Sequence, residues 1–488
     1  MKKGEGIYNV VVIGAGTAGL VTAAGTAGLG GRVALIERSL MGGDCLNFGC
    51  VPSKALISSA RLIQQIRESE KWGLDRQSPQ FRFEKVFERM RERRAKIAPN
   101  DSQERFESLG VDVLRGEAHF LSPHEIEVDG QKLRARNFVI ATGSRAAIPE
   151  IEGINSVPYF TNETIFDDLK EMPESMIVLG GGPIGCELAQ TFRRLGVEVT
   201  IVQRGDQLLP REDRDVAAFL ERRLIDEGVR IIKNAHARSV AASDTGKVAL
   251  QLLDRQSGRL AEPTFFADAL LVAIGRSPNL QSLDLKSAGV EINERGVRVT
   301  DYLQTSQRHI YAVGDVIGPF LFTHMADAQA RVVVRNILVP FQSLRQKMDY
   351  SVVPWCTFVD PEIATVGLNE SAAKKQNIEY NLIVQELREV DRAVVESESA
   401  GFAKVLLAKG SDQILGATLV CDHAGDLLPE FVLAMGHRIG LGGIASTIHV
   451  YPTLAELARK LGDKYNKTRL TPTARKIFCW LYRHGRRR

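Results

Sequence analysis

IYNVVVIGAGTAGLVTAAGTAGLGGRVALIER (residues 7–38) decides how this chain is read. An apolar run of strand character leads into G-x-G-x-x-G at Gly14, Gly16 and Gly19. A small-residue helix follows, then a second apolar run ending at Glu37. The glycines permit a tight turn and close approach of a pyrophosphate, and the N-terminus of the next helix stabilises the anion. The unit recurs as SMIVLGGGPIGCELAQTFRRLGVEVTIVQR (175–204), with glycines at Gly180, Gly182 and Gly185. In both copies 23 residues separate the first glycine from the end of the second strand, Gly14 to Glu37 and Gly180 to Gln203. One glycine fingerprint is weak. Two in full strand–turn–helix–strand context, equally spaced, predict two dinucleotide sites, for FAD and NAD(P)H.

Further strand-to-glycine junctions order the chain. NFVIATGSRAAIP (137–149) and ALLVAIGRSPN (269–279) each close a nucleotide domain, placing Thr142 and Gly143 beside FAD and Gly275 beside NAD(P). HIYAVGDV (309–316) is another strand ending in Gly-Asp, and its carboxylate, Asp315, is expected near a sugar or ribityl hydroxyl. From about Val352 onward the pattern alternates like antiparallel strands, and two helical stretches follow. The reading is α/β: two Rossmann-like nucleotide-binding domains, for FAD and NAD(P), plus a C-terminal α+β dimerisation domain. The boundaries are 1–150 (FAD, first part), 151–275 (NAD(P)), 276–348 (FAD, second part), 349–463 (C-terminal domain) and 464–488 (basic tail). RFEKVFERMRERRAKI (82–97) reads as a charged helix with a solvated face.

With 488 residues the chain exceeds what one core supports. Its formal charge of +4 conceals an asymmetry: residues 464–488 hold nine Lys or Arg and no Asp or Glu, so the body is net acidic. The body therefore gives no reason to expect a nucleic-acid partner, and none is expected; the tail alone is basic. The start MKKGEG runs through IYNVVVIGAG into a glycine loop, which reads as a buried strand and not as a signal peptide. No apolar run approaches the ~20 residues of a membrane span. The expected compartment is cytoplasmic, where a catalytic disulfide is more plausible than a structural one. The six cysteines show no zinc-type spacing, and no metal site is expected.

Downstream of the first fingerprint lies GGDCLNFGCVPSK (42–54), with Cys45 and Cys50 where a helix should begin. Two thiols beside a flavin can hold two electrons as a disulfide. In an ideal helix Cα atoms five residues apart lie roughly 8–9 Å from each other, whereas a disulfide needs less than about 7 Å. The first turn must therefore be distorted, and Gly42, Gly43 and Gly49 supply the freedom. Lys54 shares a helical face with Cys50 and would lower its pKa. Glu187, in the helix of the second fingerprint, is the candidate partner of Lys54.

The fingerprint, CLNFGCVPSK, ATGS, GGGPIGCELA, AIGRSPN, IYAVGD and DPEIATVG occur in one order over residues 7–460. In this the chain resembles the class I pyridine nucleotide–disulfide oxidoreductases, which include dihydrolipoamide dehydrogenase, glutathione reductase and mercuric reductase. The resemblance implies a homodimer with FAD in each subunit, and hydride passing from nicotinamide to flavin and then to the disulfide. It makes Cys50 the flavin-facing thiolate and Cys45 the thiol that exchanges with substrate. Lys54 and Glu187 match the ion pair near the flavin, Glu37 the acid that binds the FAD ribose, and Asp315 the flavin-binding aspartate. Ala118 would touch adenine through its backbone.

The chain also departs from that pattern. Disulfide-reducing members carry His-Pro near the C-terminus, with a Glu four residues after the Pro. Here IHVYPTLAE (448–456) puts Tyr451 in the histidine's place and keeps Glu456. A phenol, with a reference pKa near ~10, is a poor base at neutral pH. His449 lies two residues upstream; in an extended segment it would point to the same side as Tyr451 and could serve as the base. An interface histidine without a catalytic role is the alternative. Tyrosine at this position is also similar to mercuric reductase, but the vicinal C-terminal cysteines of that enzyme are missing and Cys479 stands alone. NAD-specific units end the second strand with an acid; here Gln203 and Arg204 stand there, which favours NADPH over NADH. The expected activity is an FAD-dependent NADPH:disulfide oxidoreductase acting on a small disulfide or related electrophile. Lipoamide with NAD, mercuric reductase-like metal reduction, and a flavoprotein subunit held through its tail are the alternatives. The soluble transhydrogenase variant lacks the cysteine pair and is disfavoured. The tail LTPTARKIFCWLYRHGRRR (470–488) could form a short amphipathic helix on an anionic membrane at its inner face, or dock on the body with a frayed basic end.

Overall fold

The computed structural model describes residues 6–485. The basic start at residues 1–5 and the last three arginines of the tail lie outside the described residues. The chain divides into two compact units, one formed by residues 1–65, 78–206 and 224–349, the other by 66–77, 207–223 and 350–488.

In the first unit the strand Ile7–Ile13 is central to a sheet, and Val10, Val11 and Val12 are fully buried. That continuous apolar run is what a parallel sheet covered on both faces requires. Its parallel neighbours are Val33–Glu37, followed by Asp112–Arg115, on one side and Gln131–Ile140 on the other. Ile310–Ala312 adds in parallel to the far end of Gln131–Ile140, so the late GD strand completes the first sheet. The other end of Gln131–Ile140 carries an antiparallel pair, Glu125–Val128 and Ala118–Ser122.

The second fingerprint builds a parallel sheet in the order Arg230–Ile232, Glu198–Val202, Ser175–Leu179, Ala269–Val272. It too carries an antiparallel attachment, of Ala235–Ala242, Val248–Asp254 and Leu260–Ala267. The charged segment 82–97 departs from the expected solvated face. Its helix, Phe83–Ile97, buries Phe83, Val86, Phe87 and Met90 on one side. The apolar positions recur at i, i+3, i+4 and i+7, a stripe that the density of charge concealed.

The second unit is a five-stranded antiparallel sheet, ordered Pro354–Thr357, Glu362–Gly367, Ile414–Cys421, Phe402–Ala408, Tyr380–Glu386. Val405, Leu407, Leu419, Phe431 and Leu461 belong to one core, with the helices Pro429–Gly436 and Glu456–Thr468 contributing. Residues 207–223 belong to this unit although the sequence reading runs them into the NAD(P) domain. Lys404, on a central strand, explains the attachment. Its side chain is 2% exposed, and its ammonium is bonded to Asp213 (2.8 Å), Asp215 (2.9 Å) and Glu370 (3.1 Å). A buried ammonium requires such partners. Beside them Glu212 accepts from Trp355 Nε1 at 2.6 Å and Thr365 Oγ1 at 3.1 Å.

Candidate active site

The two glycine loops are built alike. Gly14 and Gly180 have φ of +104° and +109°, and their N–H groups donate to the carbonyls of Ile36 (2.8 Å) and Val202 (2.9 Å). A Cβ on Gly19 would lie 1.8 Å from the Gly14 oxygen, and one on Gly185 1.9 Å from that of Gly180, so the third glycine is a packing requirement. The helices Thr17–Gly28 and Pro183–Arg194 start at Gly16 and Gly182, with no side-chain cap and no acid in the first turn. The first N–H groups of each helix have no intrahelical acceptor, and a Cβ on Gly16 or Gly182 would meet nothing nearer than 3.9 Å. This is the donor set of a pyrophosphate site, so the residues present fit a dinucleotide at each loop.

At the ends of the second strands the copies diverge. Glu37 is buried, and its carboxylate accepts from Ala15 N–H and Ser39 N–H, both at 2.7 Å. In the second copy the buried Gln203 accepts from Gly181 N–H at 3.0 Å through Oε1. A neutral amide thus fills an acid's place, and Arg204 beside it is exposed. Arg255, which the sequence reading did not single out, donates to the Arg204 carbonyl at 3.1 Å and brings a second guanidinium to this rim.

The cysteine loop is locked to the first fingerprint. Gly42 N–H donates to the Ala15 carbonyl at 2.9 Å, and a Cβ on Gly43 would come within 2.6 Å of the Gly16 Cα. Gly42 and Gly43 have φ of +87° and +59°. Gly49 serves differently: a Cβ there would lie 3.0 Å from an Asp44 carboxylate oxygen and 3.4 Å from the Cys45 Cα, so it permits a close approach. The short helix Gly43–Asn47 ends at Phe48 and a new helix, Cys50–Arg67, begins at Cys50. The two cysteines therefore lie on either side of a break and not along one helix.

The sulfurs interact, and their acidities are driven apart. The Cys45 thiol donates to Cys50, whose pKa falls to about 6; Lys54 and a hydrogen bond with Thr323 act in the same direction, against desolvation and the charge of Glu187. Cys45 is raised well above the thiol range by the same hydrogen bond, by burial and by the negative charge on Cys50. Cys50 Sγ lies 3.7 Å from Thr323 Oγ1, at the start of the helix Thr323–Leu338. Lys54 Nζ and Glu187 Oε2 are 2.8 Å apart, with the Glu187 side chain 6% exposed.

Asp315 accepts from Ser144 Oγ at 2.5 Å, and burial raises its pKa against the pull of Ser144 and Arg276. Arg276 lies 3.6 Å from Asp315 and 3.0 Å from Asp44, and donates to Ser144 Oγ at 2.7 Å. It thus ties the cysteine loop to the late GD segment. The sequence reading passed over this arginine although it stands inside AIGRSPN. Arg94 was missed too; it donates to the Asn47 carbonyl at 3.0 Å and binds Asp167 through both terminal nitrogens. Thr142 Oγ1 is committed to the Asn279 carbonyl at 2.8 Å, while Gly143 (φ +67°) and Gly275 (φ +144°) border open space. Ala118 opens the strand Ala118–Ser122, with its side chain buried.

The family's models cover nearly the whole chain. The pyridine nucleotide-disulphide oxidoreductase pattern matches residues 8–330, and its dimerisation domain matches 353–461. The chain belongs to this family. Pyridine nucleotide-disulphide oxidoreductases of this kind are FAD-dependent, use NAD(P)H and act on sulfur groups. A mercuric reductase of Lysinibacillus sphaericus is 33% identical over 454 residues, 93% of this chain and 81% of the relative. A dihydrolipoyl dehydrogenase of Chlamydia muridarum is 34% identical over 456 residues, 92% of this chain and 95% of the relative. Among solved structures, the HOCl-induced flavoprotein disulfide reductase RclA from Escherichia coli superposes with a TM-score of 0.83 at 29% identity, covering 93% of this chain and 99% of that one.

The C-terminal segment of this oxidoreductase differs from the sequence expectation. His449 and Tyr451 do not share a setting. The His449 side chain is 6% exposed, with Nε2 2.9 Å from Glu430 Oε1 and Nδ1 2.9 Å from the Thr447 carbonyl. Both ring nitrogens face acceptors. Tyr451 is 65% exposed, and its hydroxyl donates to Asp391 Oδ2 at 3.0 Å, which raises its pKa further. Glu456 is buried with Oε1 on Arg459 at 2.8 Å, and its Oε2 has no hydrogen bond among the described residues. No helix among the described residues is long and apolar enough to cross a membrane.

Proposed function

We propose that this chain is an NADPH:disulfide oxidoreductase that reduces a small disulfide or related electrophile through Cys45 and Cys50. What supports the reading is the placement of Cys45 and Cys50 on either side of a helix break, with Lys54 on Glu187 beside them; the thiol–thiol hydrogen bond and Lys54 lower the pKa of Cys50, and that bond raises the pKa of Cys45. FAD, when bound, would supply the two-electron relay between nicotinamide and the sulfur pair. Gly14, Gly16, Gly19, Glu37, Thr142, Gly143 and Asp315 are the residues to hold it, with Ala118 at its adenine. Gly180, Gly182, Gly185, Gln203, Arg204 and Gly275 would hold NADPH. In the reduced protein Cys45, once deprotonated, attacks one substrate sulfur and the other leaves as a thiolate. Cys50 then attacks the mixed disulfide, closing the Cys45–Cys50 bridge and releasing the second thiolate; each thiolate takes up a proton. The protein works as a homodimer through its dimerisation domain.

Anaerobic titration of the holoenzyme with NADPH tests the core of this reading. Two-electron reduction should develop a long-wavelength absorbance band in the parent and none in Cys50→Ser. A band that survives that substitution would remove Cys50 from the electron path.

One observation favours a second substrate class. The place of the disulfide reductases' histidine holds Tyr451, bonded to Asp391, and His449 has both nitrogens engaged. Among the described residues of this segment there is thus no unengaged imidazole to protonate a departing thiolate. A thiophilic metal cation needs no such proton: two Cu(II) ions reduced to Cu(I) balance one dithiol oxidised to the disulfide. Among the relatives are mercuric reductases, and RclA has been solved as a Cu(II) complex. NADPH oxidation driven by Cu(II) or Hg(II), set against glutathione disulfide and lipoamide at equal concentration, separates the two classes.

A further inference from the structure

The helix Pro472–His484 carries its own N-terminal cap, and nothing among the described residues buries it. Thr471 caps it, its Oγ1 accepting from Ala474 N–H at 3.1 Å, and proline occupies its first position. None of its residues is buried: Ile477 is 54% exposed, Phe478 50%, Trp480 60% and Leu481 47%. The expectation that this segment docks on the body is therefore not met among the described residues. A lone helix of 13 residues is marginal in water, so this one needs a surface to rest on.

Its two faces identify that surface. At about 3.6 residues per turn, Ala474, Ile477, Phe478 and Leu481 follow the i, i+3, i+4, i+7 pattern of one side. Arg475, Lys476 and Arg483 fall on the opposite side, around Cys479. Trp480 and Tyr482 stand at the two boundaries, where amphipathic rings sit at a membrane–water interface. Over residues 464–488 there are nine Lys or Arg and no Asp or Glu. The helix is also too short to span a bilayer. We infer that Pro472–His484 lies in the headgroup layer of an anionic lipid bilayer, with Ile477, Phe478 and Leu481 immersed and the basic face towards the phosphates. This rests on the helix alone and is independent of which electron acceptor the enzyme serves.

Sedimentation of the FAD-loaded protein with sucrose-loaded vesicles tests it. With vesicles of phosphatidylcholine and phosphatidylglycerol, the bound fraction should exceed that on phosphatidylcholine alone by at least about tenfold and fall as salt rises. Each neutralised cation should weaken partition by roughly fivefold. Deletion of residues 470–488 and the double substitution Ile477→Asp with Leu481→Asp should each abolish binding, with NADPH oxidation by an artificial acceptor unchanged. The inference is overturned if the full chain stays in the supernatant with anionic vesicles or binds neutral ones equally well. It is also overturned if the double variant binds like the parent. Conversion of the dimer to monomers on deletion, seen by light scattering, would assign the helix to the subunit interface and overturn it too.

Discussion

Lys54 Nζ and Glu187 Oε2 are 2.8 Å apart although 133 positions separate them, and they join the helix that starts at Cys50 to the helix of the second fingerprint. The pair sets the acidity of Cys50 by opposition: Lys54 lowers it and Glu187 raises it. Lys54→Met should therefore move half-ionisation of Cys50 to higher pH, and Glu187→Gln to lower pH. An opposite charge at this range is worth roughly tenfold in the ionisation constant. Thiolate absorbance of the reduced protein against pH reads both. Equal displacement in the same direction would show that the pair acts only as a strut.

The pH behaviour of the reduced protein follows from its divided thiols. Cys50, at about 6 in the fold, lies below a reference of about 8.5. Between those values the folded protein binds fewer protons than the unfolded one, so the contribution of Cys50 to stability grows with pH and is lost as pH falls through about 6. Cys45 lies above the reference and contributes the opposite slope above about pH 8.5. Iodoacetamide should thus alkylate Cys50 with a midpoint near pH 6 and leave Cys45 slow beyond pH 8.5. Urea midpoints of reduced minus oxidised protein should rise over the same acid range.

The proposed NADPH site puts Gln203 at the end of the second strand, where NAD-specific units carry an acid. Gln203→Glu reproduces in the second copy the arrangement that Glu37 makes in the first, and sets a carboxylate against a 2′-phosphate. The expected result is a rise of at least about tenfold in KM for NADPH with kcat for flavin reduction preserved, about 1.4 kcal/mol of binding. KM for NADH should fall. Stopped-flow flavin reduction with each nucleotide decides it.

The proposed function makes Tyr451 a test of disulfide chemistry, since its hydroxyl is bonded to Asp391 and its pKa is raised. Tyr451→His restores a group that titrates near neutrality beside Glu456, whose Oε2 lacks a partner among the described residues. General acid–base assistance is commonly worth ~100-fold or more. We expect kcat/KM for glutathione disulfide or lipoamide to rise in Tyr451→His and diaphorase activity to stay level. His449→Gln, by contrast, should lower the urea midpoint by removing a hydrogen bond to Glu430 and leave the pH profile of kcat/KM in place. A changed profile would return His449 to the role of base.

Lys404 is the electrostatic centre of the second unit. Burial pushes its pKa down, but Asp213 and Asp215 more than offset this and hold it above the usual lysine value. Lys404→Met leaves the buried Asp213 uncompensated, and breaking such a pair costs about 3–5 kcal/mol. Chemical denaturation should show that loss. Lys404→Met combined with Asp213→Asn should recover part of it.

The parallel sheets and both fingerprints were legible because they are encoded locally or at fixed spacing, whereas the Lys54–Glu187 pairing, 133 positions apart, was legible through the family resemblance. Strand burial writes itself as apolar runs, and a pyrophosphate turn demands glycine at set offsets. The break between Cys45 and Cys50 was legible for a similar reason, since one helix cannot bring those positions together. Other features were not. Arg276 bridges Asp44 and Asp315, which lie 271 positions apart, and one sequence gives no sign which arginine meets which carboxylate.

Fold class, the two glycine loops and the break between Cys45 and Cys50 are written in the residues themselves, because each rests on backbone geometry that few residue types can adopt. Folding alone set the places of the charged and polar side chains. It turned His449 onto Glu430 and Tyr451 onto Asp391, gathered residues 207–223 around Lys404, and left the helix Pro472–His484 uncovered. Those outcomes depend on which desolvated groups find partners across the fold, and a partner distant in sequence leaves no periodicity to read.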